Sequence, residues 1–134
     1  MLELNNDIIE QLIQTAKKYA DNSYCPYSAL PIGASILCGD DTIFGGCNIE
    51  CCDYSAPSLS AGDTVIAKAI SEGYNRLLAI CIYNDKNLIY PNAGTRQMLY
   101  EFNSNIDIIT ANKNTFEIKK LNEIYLMPIQ TCEE

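Results

Sequence analysis

The run Leu77–Tyr83 constrains the fold most, because every one of its side chains is apolar or aromatic. A short, continuous apolar run of this kind suits a strand that is buried on both faces, and sheets with such strands are covered by helices on both sides. The sequence therefore predicts a layered α/β protein that contains this strand.

Helices and further strands are predicted on both sides of this run. Apolar residues recur at helical spacing over residues 6–20, with Asn5 or Asn6 as the cap, and helices are also predicted over residues 61–73 and 95–102. Strands are predicted over residues 31–38, 43–47, 106–110 and 116–118, and a final turn or helix over 121–127. The order α-β-β-α-β-α-β-β contains no linker or repeat, so we expect a single domain over residues 1–134.

The acidic charge balance narrows the class of ligand. The chain has 9 lysines and arginines against 17 aspartates and glutamates, which gives a formal net charge of −8. A sequence-independent nucleic-acid binder needs basic residues to neutralise phosphates, so we expect no nucleic acid as a partner. A small neutral ligand or a protein partner fits this charge better.

No segment predicts export or membrane insertion. The first residues lack the basic residues and the apolar run of a signal peptide, and no apolar stretch reaches the length of a membrane span. We therefore expect a cytoplasmic protein without a membrane partner.

Seven cysteines and the absence of histidine restrict the chemistry. An odd number of irregularly spaced cysteines in a cytosolic chain predicts thiols rather than a disulfide framework. Without histidine the chain lacks the commonest general base and the commonest metal ligand. The vicinal pair Cys51 and Cys52 does not have a zinc-site spacing, even with Cys25 and Cys47 in the vicinity, so buried or half-buried thiols are favoured over a new metal site.

Three segments carry a resemblance to a known enzyme family. Residues 24–34 read YCPYSALPIGA, residues 46–50 read GCNIE and are followed by KAISEGY at 68–74, and residues 91–97 read PNAGTRQ. They are similar to Y-C-P-Y-S-x-F-P-V-G-A, to G-C-N-[IV]-E with K-A-V-S-E-G-Y, and to P-C-G-A-C-R-Q of the cytidine deaminases of nucleoside salvage. The resemblance implies the cytidine deaminase-like α/β fold, with three α/β/α layers and a central mixed five-stranded sheet. It implies the activity less strongly, because one fold can carry many functions and the activity depends on the residues of the site.

The positions that carry the chemistry in this family are changed in this chain. The family binds zinc through three cysteines, one in C-A-E and two in P-C-x-x-C, and the glutamate of C-A-E moves protons. The matching ligand positions are Ser60, Asn92 and Thr95, and the glutamate position is Gly62. Neutral oxygens are poor substitutes for thiolates at a zinc site, and glycine carries no proton. We therefore expect no zinc cofactor, no metal site and no catalytic residue of the family type.

Asp63 adds a further difference. It stands where the family has an arginine beside the zinc thiolates. The chain is one residue longer than the family between Tyr54 and Thr64, so a shift of the helix start by one residue would bring Asp63 towards the place of the glutamate. Asp63 is thus a weak candidate for a catalytic carboxylate.

The sugar end of the family's site is retained. The resemblance assigns Asn48 and Glu50 to hydrogen bonds with a ribose and Ala61 to the base, so these are the predicted substrate-binding residues. The alternative is that Asn48 and Glu50 only hold their loop by bonding to local backbone. Leu30 replaces a family phenylalanine, and the family's C-terminal aromatic residue is missing from residues 126–131, which weakens stacking on a base.

Three functions remain open at this point. The first is a zinc-free, catalytically inactive pseudoenzyme that binds a nucleoside-like ligand, a protein partner or an active paralogue. The second is a repurposed enzyme that acts on a nucleoside-like substrate without zinc, although no histidine is available to activate a serine. Its candidate groups are Glu50, Tyr54, Ser58, Ser60 and Asp63. The third is a cytidine deaminase with substituted ligands, which would hydrolyse cytidine to uridine.

The resemblance also implies an oligomer. Small deaminases of this family are homotetramers with sites near the subunit interfaces, so a homo-oligomer, and specifically a tetramer, is expected. Tyr27, Tyr54 and Arg96 fit such an interface, and they equally fit ordinary packing within one subunit. Both interpretations remain open.

Overall fold

The structure, a computed structural model, describes residues 4–52 and 58–125. In chain order its elements are α1 (Asn6–Ala20), β1 (Gly33–Cys38), β2 (Ile43–Cys47), α2 (Ala61–Ser71), β3 (Leu77–Tyr83), α3 (Ala93–Phe102), β4 (Asp107–Ala111), β5 (Phe116–Lys120) and α4 (Leu121–Ile124). This order agrees with the predicted one. Within the described residues, no helix is both long and apolar enough to cross a membrane.

The sheet has five strands in the order β2-β1-β3-β4-β5. Strands β3 and β4 run parallel, and every other pairing is antiparallel. The apolar run that predicted a buried strand is β3, which lies in the middle of this sheet. The predicted mixed five-stranded sheet is therefore confirmed.

Helices cover both faces of the sheet, which confirms the three-layer arrangement. On one face, Leu12 and Ala16 of α1 form a core with Leu37, Cys81 and Ile109 of the strands. Successive strand residues point to opposite faces. The core on the other face joins α2 and α3 to the alternate residues of the same strands and includes Ile36, Val65, Ile80 and Leu99.

Helix α1 begins at a defined cap and lies very close to β1. Asn5 Oδ1 accepts a hydrogen bond from the N–H of Ile8 at 2.9 Å, so Asn5 rather than Asn6 is the cap. A Cβ on Gly33 would lie only 1.8 Å from the carbonyl oxygen of Ala16, so this approach of helix and strand requires glycine. The end of α1 is thereby held beside the chain that leads into β1.

One strand and one helix begin at residues other than those predicted, and each difference has a local cause. The strand predicted from residue 31 begins at Gly33, and Pro31 has no N–H to offer a strand ladder. The helix predicted from Thr95 begins at Ala93, because Asn92 caps it by accepting a hydrogen bond from the N–H of Thr95 at 2.9 Å. The second shift matters for function, because it places Asn92 at a helix start.

The remaining boundaries differ from the prediction by three residues or fewer. The helix predicted over residues 61–73 ends at Ser71, and Gly73 follows with a φ of 92° that glycine adopts without strain. Strand β5 extends to Lys120, which pairs with Asp107 at the start of β4. Their side chains form an ion pair of 2.8 Å. The prediction over 121–127 is a helix that ends at Ile124, and residues 126 and 127 lie outside the described part.

Candidate functional site

The first turns of α2 and α3 meet, and the residues that cap the two helices lie at the meeting point. Ser60 Oγ accepts a hydrogen bond from the N–H of Asp63 at 3.1 Å, and Asn92 Oδ1 accepts one from the N–H of Thr95 at 2.9 Å. The hydroxyl oxygens of Ser60 and Thr95 are 3.1 Å apart. The structure thus brings together the three positions that the resemblance assigns to metal ligands.

The Asp63 carboxylate joins this cluster through a contact that the motif spacing did not reveal. Its Oδ1 accepts a hydrogen bond from the Thr95 hydroxyl at 2.7 Å, although the two residues lie on different helices. Asp63 follows Gly62 directly in the first turn of α2. The role of Asp63 as a catalytic carboxylate stays a prediction.

A pocket of about 140 Å³ adjoins the cluster. Its lining is mostly apolar and includes Ile32, Ala61, Gly62, Ile82, Ile89 and Thr95. A concave, mainly apolar cavity with a few polar groups is the common form of a small-molecule site. We refer to it as the inner pocket, and the predicted base-binding residue Ala61 is part of its wall.

Position 62 has no room for a side chain in this arrangement. A Cβ built on Gly62 would lie 2.8 Å from the methyl carbon of Thr95 and 3.6 Å from Cδ1 of Ile82. Carbon atoms in favourable contact are about 3.5–4.0 Å apart, so the first distance is a clash. The position that carries the glutamate in the resemblance is therefore a glycine packed against a methyl group.

The Asn48 side chain is buried, and it bonds to the loop that precedes β1. Its Oδ1 accepts hydrogen bonds from the N–H of Ile32 at 3.0 Å and from the Ser23 hydroxyl, and its Nδ2 donates to the carbonyl of Leu30 at 3.0 Å. Both acceptor positions of the amide oxygen are therefore used inside the chain. Ribose binding by Asn48 stays a prediction.

Glu50 holds the same loop at another point. Its Oε1 accepts hydrogen bonds from the N–H groups of Tyr27 and Ser28 at 3.2 and 3.1 Å. Hydrogen bonds from the hydroxyl and the N–H of Ser28, together with the N–H of Tyr27, lower the pKa of the Glu50 carboxyl below its usual value because they favour the charged form. Glu50 and Asn48 thus hold the loop over residues 23–32 at several points.

A larger pocket of about 440 Å³ is also lined by residues of this loop. Leu30 and Pro31 line this outer pocket, whereas the next residue, Ile32, lines the inner one. The rest of its wall comes from the end of α1 and the turn after β3 and includes Asp21, Ser23, Asn84, Asp85 and Lys86. No motif marked the turn at residues 84–86, so sequence reasoning missed it.

Several residues proposed for interfaces or new chemistry have partners within the chain. Arg96 donates from Nε to the carbonyl of Pro91 at 2.7 Å and from Nη1 to the carbonyl of Ile124 at 2.9 Å, which is packing within one subunit. Ser58 Oγ accepts a hydrogen bond from the N–H of Cys51 at 3.0 Å. Tyr54 lies outside the described residues.

The donors at the three ligand positions differ from those of a three-thiolate zinc site. Ser60 and Thr95 offer hydroxyls and Asn92 offers an amide, whereas zinc in proteins prefers thiolate and imidazole. In residues 4–52 and 58–125, no group of three or more histidine, cysteine, aspartate or glutamate side chains is placed to hold a metal ion. The assignment of Ser60, Asn92 and Thr95 to lost zinc-ligand positions stays a prediction.

Comparison with known proteins decides the family. Residues 2–81 match the family model described as the cytidine and deoxycytidylate deaminase zinc-binding region. The chain belongs to this family. Zinc is the cofactor of the family, so the expectation of no cofactor was wrong. That expectation rested on the residue types at positions 60, 92 and 95 and on the spacing of the other cysteines.

Two relatives support the assignment of this chain to the cytidine deaminase family, and one solved structure shares its fold. The cytidine deaminase of Sporosarcina psychrophila is 38% identical over 95 residues, which are 70% of this chain and 69% of the relative. A probable cytidine deaminase of Dictyostelium discoideum is 31% identical over 117 residues, or 85% and 79% of the two chains. The crystal structure of cytidine deaminase from Burkholderia pseudomallei superposes with a TM-score of 0.84 at 23% identity, covering 94% of this chain and 100% of that one. This likeness confirms the predicted fold.

Proposed function

We propose that this member of the cytidine deaminase family binds a nucleoside-like ligand and does not deaminate cytidine. The proposal rests on the packing at Gly62, where an added Cβ would lie only 2.8 Å from the Thr95 methyl carbon. Deamination by zinc deaminases needs a glutamate that carries protons between water and the base. A glycine without room for a side chain does not supply this group, so in this proposal the chain is a pseudoenzyme.

The two pockets support ligand binding. In the proposal the base occupies the inner pocket beside Ala61, and the sugar faces the loop that Asn48 and Glu50 hold. Residues of this loop line both the inner and the outer pocket. A ligand with a flat apolar part and a polar hydroxylated part matches an apolar cavity next to a loop rich in hydrogen-bonding groups.

The proposal is tested by measuring binding and turnover on the same sample. The melting temperature is recorded with cytidine, uridine, free ribose and the free bases, cytidine absorbance is followed for conversion to uridine, and zinc content is determined in parallel. We expect a nucleoside to raise the melting temperature and the cytidine absorbance to stay constant, whatever the zinc content. Conversion of cytidine above the rate without protein would overturn the proposal.

A pair of matched variants locates the binding site. Ile89→Trp fills the inner pocket, whereas Met98→Trp adds the same side chain to α3 at a position that is 37% exposed and not part of the pocket wall. The nucleoside-induced shift should disappear in the first variant and persist in the second. An equal shift in both variants would place the ligand elsewhere.

One observation favours a second candidate, a deaminase that uses Asp63. Its carboxylate is bonded to Thr95, and Thr95 lines the inner pocket. A carboxylate is a suitable group for general acid–base catalysis. If Asp63 has this role, cytidine is converted and Asp63→Asn abolishes the conversion. If the first proposal holds, neither protein shows turnover.

We also propose a homo-oligomer, specifically a tetramer, in the cytoplasm. Ile49 pairs with Tyr24 and with Leu59 in isolated bridges, and the three side chains are 40%, 57% and 43% exposed, which supports a contact surface. The six described cysteines form no disulfide, as is usual in a reducing compartment. Light scattering coupled to size exclusion measures the mass, and a monomer at micromolar concentration would contradict the tetramer.

A further inference from the structure

We propose that Ser60, Asp63 and Thr95 form a closed ring of hydrogen bonds that locks the starts of α2 and α3 together, and that the Thr95 methyl closes position 62 to side chains. The ring has three links. The Asp63 N–H bonds to Ser60 Oγ at 3.1 Å, Ser60 Oγ and Thr95 Oγ1 are 3.1 Å apart, and Thr95 Oγ1 bonds to Asp63 Oδ1 at 2.7 Å.

The charge of Asp63 sets the direction of the ring. An ionised carboxylate only accepts hydrogen bonds, so the Thr95 hydroxyl donates its proton to Asp63. Thr95 Oγ1 then accepts the proton of the Ser60 hydroxyl, and Ser60 Oγ accepts the Asp63 N–H. Each hydroxyl donates once and accepts once, and the bond to the carboxylate is the strongest because it is charge-assisted. Asn92 Oδ1 lies 3.1 Å from Thr95 Oγ1, but in this ring it accepts only the N–H of Thr95, at 2.9 Å.

Burial makes the ring important for stability. Thr95 is 1% exposed and its partners Ser60 and Asp63 are half-buried, so the loss of its hydroxyl costs hydrogen bonds that water replaces only in part. On the other side of the same residue, the methyl carbon lies where it blocks a Cβ on Gly62. Thr95 therefore has two separable roles, one for its hydroxyl and one for its methyl. These roles are independent of whether a nucleoside binds, so the inference goes beyond the proposed function.

The two roles are tested with two substitutions of Thr95 in the full chain. Thr95→Val keeps the shape and removes the hydroxyl, whereas Thr95→Ser keeps the hydroxyl and removes the methyl. We expect Thr95→Val to lower the melting temperature by roughly 5 °C or more and Thr95→Ser to lower it less. A valine variant that melts at the wild-type temperature would show that the ring contributes nothing.

The closure of position 62 is tested by a double-mutant cycle. Gly62→Ala should lower the melting temperature in the wild-type and Thr95→Val backgrounds, and Thr95→Ser should relieve most of that loss because it removes the blocking methyl. Gly94→Ala is the matched control, since its new Cβ would meet only Asn92 Oδ1 at an ordinary 3.5 Å. We expect no loss there.

The double-mutant cycle still tests the closure of position 62 if the single variant Gly62→Ala does not fold. In that case the double variant with Thr95→Ser is expected to fold and to melt cooperatively. If the serine background brings no recovery, or if the alanine costs the same in all three backgrounds, the proposed closure of position 62 by the Thr95 methyl is wrong.

Discussion

The amide oxygen of Asn48 accepts a hydrogen bond from the backbone N–H of Ile32 at 3.0 Å. Ile32 lines the inner pocket, so the residue that the resemblance assigns to the sugar also positions the wall at the base end. The same side chain bonds to Leu30 and Ser23, which line the outer pocket. Asn48 is thus a structural link between the two pockets, whether or not it contacts a ligand.

Asn48→Ala should therefore destabilise the protein strongly. The substitution leaves the half-buried N–H of Ile32 and the carbonyl of Leu30 without their partner, which costs about 1–3 kcal/mol of the free energy of unfolding. Urea denaturation measures the loss. Asn112→Ala is the control, because its oxygen caps an exposed turn through the N–H groups of Asn114 and Thr115, and a smaller loss is expected. Equal losses would contradict the role given to Asn48.

The Glu50 carboxylate predicts a pH dependence of stability. Its pKa is lowered in the folded chain from an ordinary value of 4.5, so its contribution is fully present above pH 4.5 and is lost as the pH falls through the lower folded value. The wild type should exceed Glu50→Gln in stability near neutral pH, and the difference should shrink below pH 4.5. Urea denaturation at a series of pH values measures it, with Glu10→Gln on the exposed face of α1 as the control. A difference that grows with acidity would contradict this sign.

The cysteines should react at very different rates in the native protein. Burial raises the pKa of Cys38 to about 11 and also raises that of Cys81, and both side chains are inaccessible. Cys51 and Cys52 are exposed. Because the thiolate is the reactive form, iodoacetamide should modify the exposed pair first and reach Cys38 and Cys81 only after unfolding. Peptide mass mapping over time measures the order, and early modification of Cys81 would contradict the described core.

Most of the fold could be predicted because it depends on local patterns. Helical spacing marked α1, and the uninterrupted apolar run marked β3, since each pattern follows from the faces that an element must bury. Boundaries were less accurate where a cap decides them, as at Asn92, because a side-chain hydrogen bond to a nearby N–H leaves no periodic signal. The turn at residues 84–86 carried no motif, and only its position next to the loop over 23–32 makes it part of a pocket.

The sequence by itself determined the family resemblance, the layered fold and the identity of the changed residues, because these follow from residue types and their spacing. It did not determine how those residues interact. Ser60 and Asp63 belong to the start of α2 and Thr95 to α3, so only tertiary packing brings the Thr95 hydroxyl oxygen to 3.1 Å from Ser60 Oγ and 2.7 Å from Asp63 Oδ1. The same packing sets the Thr95 methyl against Gly62. Local patterns fix which face of an element is buried, but distances between side chains on different elements are decided by the way those elements pack.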